Sequence, residues 1–362
     1  MPPTSTLWHL EPHTQGKHLV LRKYLDAWLP IMSSWSGRIL FIDGFAGPGQ
    51  YAGGEEGSPI IAIRAHAAYA AAKPLNSEVV FIFVEKDSDR ADHLRQMLAS
   101  IALPSKTSVQ VLTGAFDETL TSVLDDVDAQ STHLAPCFVM VDPFGVAGTP
   151  MSVLARILGN LRSELYISFM YDFINRFSTT PEFASNLDQL FGTPDWRYCS
   201  SLQDPDARKS CFYDLYDAQL RQAGAKFVVR FELYQGQRLV YAIFFATQHP
   251  KGCDKMKQAI WKVIPFGDFA FRAAAPGQLT MNLTAASFAL LRQHVLTEFR
   301  GKGWISIDDV LDFVSSDRTP FHTGHLRKCG LVPLEDSGQL LVDPATRRRK
   351  HTFPPGTRLM IP

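Results

Sequence analysis

Three apolar runs in this chain each end in a carboxylate. Ile39-Leu40-Phe41-Ile42 leads to Asp43, the run 79–84 leads to Glu85, and the run 137–141 leads to Asp142. A continuous apolar run marks a strand buried on both faces, and open α/β sheets bind ligands at the carboxyl ends of such strands. Three acids at three such ends describe a nucleotide-type cleft. After Asp43 comes Gly44-Phe45-Ala46-Gly47-Pro48-Gly49. Its glycines would let backbone approach a polar ligand closely. The turn lacks the third glycine of a dinucleotide fingerprint and the Lys-Ser/Thr of a phosphate loop. That favours an aminoacyl tail over a phosphate, with an ordinary tight turn as the alternative.

The remaining candidates follow from their places on the same edge. Glu85, with Lys86 beside it, stands where a carboxylate would accept the ribose hydroxyls of an adenosine. Phe116 and Asp117 follow the third strand, where a ring could stack on adenine and an acid accept its amino group. Asp117 could equally cap the next helix. Ser58, ahead of Pro59, reads as a helix start at the end of the glycine loop. Asp142-Pro143-Phe144-Gly145 places an acceptor carboxylate, a rigid turn and an aromatic ring in sequence. Together these would hold a planar amine and stack on the ring that carries it. Such chemistry needs little acid–base work, because positioning lowers most of the barrier.

Elements able to place these residues alternate along the chain. Helical patterns at 17–33, 59–72, 88–100, 117–127 and 150–160 separate strands at 39–43, 79–85, 108–113, 135–142 and 164–170. This alternation predicts a doubly wound parallel sheet. A helix at 206–223 and a short-looped strand pair, 226–233 and 238–247, then predict a closing antiparallel hairpin. Five parallel strands plus that hairpin make a seven-stranded Rossmann-like sheet, the layout of the class I S-adenosylmethionine (SAM) methyltransferases. Residues 265–278 read as a linker. Helices at 285–300, 306–315 and 319–329 and a terminal hairpin then predict a winged helix-turn-helix. The expected domains are 1–280 and 281–362.

Composition narrows the function classes. The 362 residues carry 36 basic and 36 acidic side chains, so no global field draws the protein to nucleic acid or membrane. Five scattered cysteines show no metal-ligand spacing, which predicts reduced thiols and no metal site. The first residues lack a basic region followed by an apolar one, and no run is long enough to span a bilayer. The expectation is a cytoplasmic protein that does not enter membranes.

Two resemblances sharpen this reading. Asp43 to Gly49 and Asp142-Pro143-Phe144, in that order, resemble the first motif and the (Asp/Asn)-Pro-Pro-(Tyr/Phe) motif of nucleic-acid amino methyltransferases, with one proline here in place of two. Several further strings resemble the three-Cys-motif partner (TcmP) family. They are Glu11-Pro12-His13-Thr14 with Lys17-His18, Gly57-Ser58-Pro59, and His249-Pro250-Lys251-Gly252 leading to Met256-Lys257 and Trp261. The TcmP resemblance implies a SAM-binding fold and a separate cysteine-motif partner protein.

On this basis Asp43, Gly44, Phe45, Ala46, Gly47, Gly49, Ser58, Glu85, Lys86, Phe116, Asp117 and Asp142 are the expected cofactor residues. Asp142, Pro143 and Phe144 would present the acceptor. Lys17, paired to a carboxylate, and Tyr171 and Asp172 would border the substrate. Arg347, Arg348 and Arg349 would lie in the wing along a nucleic acid. The resulting expectation is methyl transfer to an amino nitrogen, such as one on a nucleobase. The alternative is a non-catalytic SAM-binding or nucleic-acid-recognition subunit serving the partner.

Overall fold

The computed structural model describes residues 5–34, 37–265, 269–272 and 288–362. The chain forms two compact units, one of Met1–His249 with Ala270–Gln278 and one of Pro250–Phe269 with Leu279–Pro362.

The first unit begins with α1 (Pro12–Met32), which starts a turn earlier than the apolar pattern alone indicates, because Pro12 suits the first helical turn. Then follow β1 (Gly37–Asp43), α2 (Ser58–Ala72), β2 (Ser77–Glu85), α3 (Ser88–Ala99), β3 (Thr107–Thr113), α4 (Phe116–Ala129), β4 (Cys137–Val141), α5 (Met151–Leu158) and β5 (Ser163–Phe169). Three short helices, α6 (Tyr171–Phe177), α7 (Ala184–Phe191) and α8 (Trp196–Ser201), precede α9 (Pro205–Gln222). The hairpin β6 (Phe227–Gln235) and β7 (Arg238–Thr247) comes next.

The strand order is β3-β2-β1-β4-β5-β7-β6, with one further strand, β8 (Ala270–Arg272), beyond β6. The sheet therefore has eight strands where the sequence pattern gives seven. The extra one lies within the Gly/Pro/Ala-rich stretch expected to be linker, and its three residues pair parallel with Glu232, Leu233 and Tyr234. Too few residues are involved to show an alternating pattern. β7 runs antiparallel to both neighbours, β5 and β6, and the sheet is otherwise parallel from β3 to β5.

The chain leaves β1 toward β2 and β3 on one side and returns to β4 on the other. That makes the β1/β4 boundary a topological switch point, the usual ligand position in such sheets. Asp43 stands opposite Met140 in this register, so Asp43 and Asp142 emerge from the same sheet edge. On one face α1 buries Tyr24 and Trp28 against Phe138 and Phe245. On the other, α4, α5, α7 and α9 pack a core that includes Leu120, Leu154, Phe191 and Tyr216.

Cys199 and Cys211 are joined by a disulfide, contrary to the expectation of reduced thiols. Their twelve-residue separation matches no motif, but the packing of α8 against α9 brings their Cα atoms to 5.3 Å. Cys137, Cys253 and Cys329 are not part of a disulfide.

The second unit contains α10 (Pro250–Val263), α11 (Ala289–Phe299), β9 (Trp304–Ser306) and α12 (Ile307–Ser315). It continues with α13 (Thr323–His325), a π-helical turn at Leu326–Leu331, α14 (Val332–Asp336), β10 (Leu341–Val342) and β11 (Arg358–Met360). The last three strands form a separate antiparallel sheet ordered β10-β11-β9. α10 holds this unit together through buried polar contacts. Lys257 Nζ donates to the carbonyls of Val314, Ser316 and Thr319 at 2.6, 2.5 and 3.2 Å. Asp254 accepts from the Thr323 amide and hydroxyl at 2.7 and 2.9 Å.

Among the described residues no helix is long and apolar enough to cross a membrane. Among them, too, no cluster of three or more His, Cys, Asp or Glu side chains is placed to hold a metal ion.

Candidate functional site

A cavity of about 210 Å³ opens in the first unit where α1, the loop after β1 and the turn after β4 converge. One water needs only about 10–15 Å³ by the same measure, so the opening is ligand-sized. Backbone from Phe45 to Gly49 forms one wall, and Asp142, Pro143, Phe144 and Met170 form another. His13, Thr14 and Lys17 contribute from α1, Tyr241 from β7, and Trp8 from the segment ahead of α1.

The glycine loop is shaped by its own bonds to neighbouring strands. Gly44 N donates to Met140 O and Ala46 N to Val84 O, both at 2.9 Å, which draws the loop across the ends of β4 and β2. Gly47 and Gly49 take φ values of +63° and +83°, a region open to glycine at little cost. Glu85 accepts from the amides of Gly47 and Asp87, each at 2.8 Å. The carboxylate at the end of β2 thus positions the loop directly.

Asp43 is fully buried. Its Oδ1 accepts from Phe45 N at 3.1 Å, while Oδ2 lacks a hydrogen-bond partner among the described residues. Burial pushes the carboxyl up to about 6, and the nearby Ser58 hydroxyl and Phe45 amide offset only part of that. A buried acceptor with one oxygen unused, beside a backbone cradle, suits a ligand that brings a hydrogen-bond donor.

Lys17 reaches from α1 to form an ion pair with Asp142 Oδ2. The Lys17 side chain is 3% exposed and that of Asp142 27%. Burial works to raise the Asp142 carboxyl, but the charge and hydrogen bond of Lys17 outweigh it and hold the group below its usual range. The Lys17 ammonium also lies 5.5 Å from the Tyr241 ring centroid. His18, buried beside Lys17, is pushed down to about 3 by desolvation and then by that ammonium. Burial, followed by Lys17, also lowers His13. Both imidazoles are therefore neutral near pH 7, and the charged pair in this part of the cavity is Lys17 with Asp142.

Aromatic rings complete the rim. Trp8 meets Tyr51 and Phe144 edge-on at centroid distances of 5.8 and 5.7 Å. Arg90 stacks over Trp8 at 5.0 Å, and Ala52 N donates to Trp8 O at 2.8 Å. Phe144 remains 41% exposed, so its ring is open to a ligand.

Of the residues expected from sequence, Lys17, Phe45, Ala46, Gly47, Gly49, Ser58, Asp142, Pro143 and Phe144 come together in this wall. Asp43, Gly44 and Glu85 lie behind the loop and support it. Lys86 is exposed beyond the strand end.

Several others differ from expectation. Phe116 is 2% exposed and belongs to the core, tilted against Phe45 and set where a β-carbon on Gly44 would overlap its ring. It supports the loop from below and presents no stacking face. Asp117 lies partly exposed in the first turn of α4 and does not cap it, so only its capping alternative fails. Tyr171 packs edge-on against Tyr213, and Asp172 pairs with Arg176 and Arg238. The cavity wall takes Met170 instead, because α6 turns the two later residues away. Lys257, from one of the strings that resemble the TcmP family, lies in the other unit, committed to its three carbonyls. Arg347 is paired with Glu335, with side chains 12% and 8% exposed.

Trp8, Tyr51 and Tyr241 were not expected at the site. Each lies outside the strand-end motifs, and only its place in the fold brings it there.

No family profile and no curated protein matches this sequence. Among solved structures, human methyltransferase-like protein 13 in complex with SAH is 12% identical, with a TM-score of 0.36 over 75% of this chain and 97% of that one. The O-methyltransferase from Bacillus cereus in complex with SAH is 16% identical, with a TM-score of 0.35 over 66% of this chain and 82% of that one. The O-methyltransferase TomG from Streptomyces achromogenes in complex with SAM is 14% identical, with a TM-score of 0.33 over 67% and 92%. Likeness at this level adds no argument to the strand order. That order, with β7 antiparallel between β5 and β6, gives the first unit a Rossmann-like methyltransferase fold.

Proposed function

We propose that this protein is a SAM-dependent methyltransferase that methylates an amino nitrogen. The observation that carries the reading is the meeting of the glycine loop and the Asp142-Pro143-Phe144 turn in one cavity at the switch point. SAM would supply a methyl group on a cationic sulfur. The backbone of Phe45 to Gly49, supported by Asp43 and Glu85, would hold the cofactor.

The roles of the chain's own groups follow from their states. Asp142, held ionised, is an acceptor for an N–H of the incoming amine. It is too weak a base to take a proton early, so its contribution is orientation. Phe144 offers an exposed ring for a planar acceptor such as a nucleobase. Trp8 and Tyr51 exclude water from that side. The resemblance to the TcmP family supports a cysteine-motif protein as partner, and the second unit's helices and three-stranded sheet support a winged-helix reading.

A second reading draws on one observation. Lys17 already engages the carboxylate that an acceptor amine would need. In a recognition subunit that pair would be permanent and no methyl transfer would follow.

Calorimetric titration with SAM and with S-adenosylhomocysteine tests the cofactor assignment. Micromolar binding is expected. Glu85→Ala should weaken it about 10- to 100-fold, since hydrogen bonds to charged groups are worth roughly 1.5–3 kcal/mol and this one fixes the loop. Absence of binding, or binding indifferent to Glu85, would overturn the assignment. Labelled methyl transfer to nucleic acids and amines, lost in Asp142→Asn with cofactor binding retained, would separate the enzyme from the recognition subunit.

A further inference from the structure

The second unit carries a basic surface that the cavity does not use. Six cations fall within residues 327–328 and 347–350, in a chain whose formal net charge is zero. The structure sorts them into two groups. Arg347 is bound to Glu335 and lies over the Phe353 ring at 5.8 Å. Lys350 Nζ and His351 Nε2 both contact Asp336, at 2.9 and 2.8 Å. These contacts pin the 347–351 loop to the end of α14.

Among the described residues the other four cations have no carboxylate partner. Arg327, on the π-helical turn, donates through Nε to the His351 carbonyl at 3.1 Å, a bond that leaves its charge uncompensated. It also sets the turn beside the loop. Lys328, Arg348 and Arg349 are exposed and, among the described residues, make neither an ion pair nor a side-chain hydrogen bond.

We propose that Arg327, Lys328, Arg348 and Arg349 form a binding surface for the phosphate backbone of a nucleic acid. Arginine and lysine charges held on a folded frame and left without counter-charges lower their free energy by displacing counterions from a polyphosphate. The helical order supports the choice, because α12, the seven residues after it and the helical stretch from Thr323 form a helix-turn-helix beside a small sheet. The surface does not suit insertion into a lipid surface. Among the described residues of this unit the exposed large apolar side chains are Leu290, Trp304 and Leu341, and none falls within 323–331 or 347–353. Arg347, the first residue of the triplet, is excluded by its pairing. The proposal is independent of the cavity's cofactor.

Fluorescence anisotropy of the full chain with labelled 20-nucleotide single-stranded RNA, single-stranded DNA and duplex DNA, from 50 to 200 mM salt, tests it. The arms identify which nucleic acid is preferred. Binding to at least one is expected, with Arg327→Gln/Lys328→Gln and Arg348→Gln/Arg349→Gln each weakening it severalfold and their combination at least tenfold. The log–log salt slope should fall by roughly 2–4 in the combined variant, as about 0.7–0.9 is lost per phosphate contact. A charge-matched variant at Arg38, Arg64, Arg95 and Lys73 should bind like the wild type. Absence of binding in all arms, an equal loss in the charge-matched variant, or capture by phosphatidylserine vesicles alone would overturn the proposal. An unchanged melting temperature and unchanged SAM titration in the combined variant keep the result separate from folding and from the cavity.

Discussion

Glu164 shows how a single buried acid sets a pH dependence. It lies in β5, 8% exposed, accepting from Tyr24 Oη at 2.6 Å and Thr247 Oγ1 at 2.9 Å. Burial pushes it from 4.5 up to about 7, against the pull of those hydroxyls. A carboxyl raised on folding lends stability that is complete below its unfolded value and lost as pH rises through its folded one. Between about pH 4.5 and 7 the protein should therefore lose on the order of 3 kcal/mol at this site. Glu164→Gln should melt higher than wild type at pH 8, and the gap should close by pH 4.5. A gap that stays constant with pH would show that the charge is not responsible. Glu164 gives no sign in sequence, because its burial depends on α1 crossing the sheet. Asp142 was legible for the opposite reason: a strand end, a proline and an aromatic ring are adjacent in sequence. Its partner Lys17 could be expected to meet a carboxylate, but which carboxylate depends on where α1 crosses.

At the scale of elements, helix α10 decides the second unit. Lys257 is fully buried, and burial lowers its pKa, yet its ammonium satisfies three carbonyls around the end of α12 and the following turn. Replacing it by methionine would leave those acceptors buried without a donor. The expected cost is about 2–4 kcal/mol, read as a lowered midpoint in chemical unfolding. A midpoint within error of wild type would mean that water replaces the ammonium freely. The parallel strands and their helices were readable because burial on both faces leaves long apolar runs. β8 and the short helices α6 to α8 were not, since three to eight residues hold too little period to register.

For the whole molecule, the disulfide fixes a chemical state that no motif announced. Closing the loop between Cys199 and Cys211 removes unfolded-chain entropy worth roughly 2–3 kcal/mol for a span of this size. Reduction, or replacement of both by alanine, should lower the melting temperature by several degrees. Thiol titration of the unfolded, unreduced chain should find three of the five cysteines, Cys137, Cys253 and Cys329. Five would show that the bridge does not form. Trp8 has a consequence at the same scale. The chain has six tryptophans, and Trp28, Trp196 and Trp261 are buried in packed cores. Trp8 stands in the doorway of the cavity, between Tyr51 and Phe144 and under a guanidinium. The protein thus carries its own fluorophore at the entrance, and ligand arrival can be followed as a change in its emission, without label, substrate or turnover.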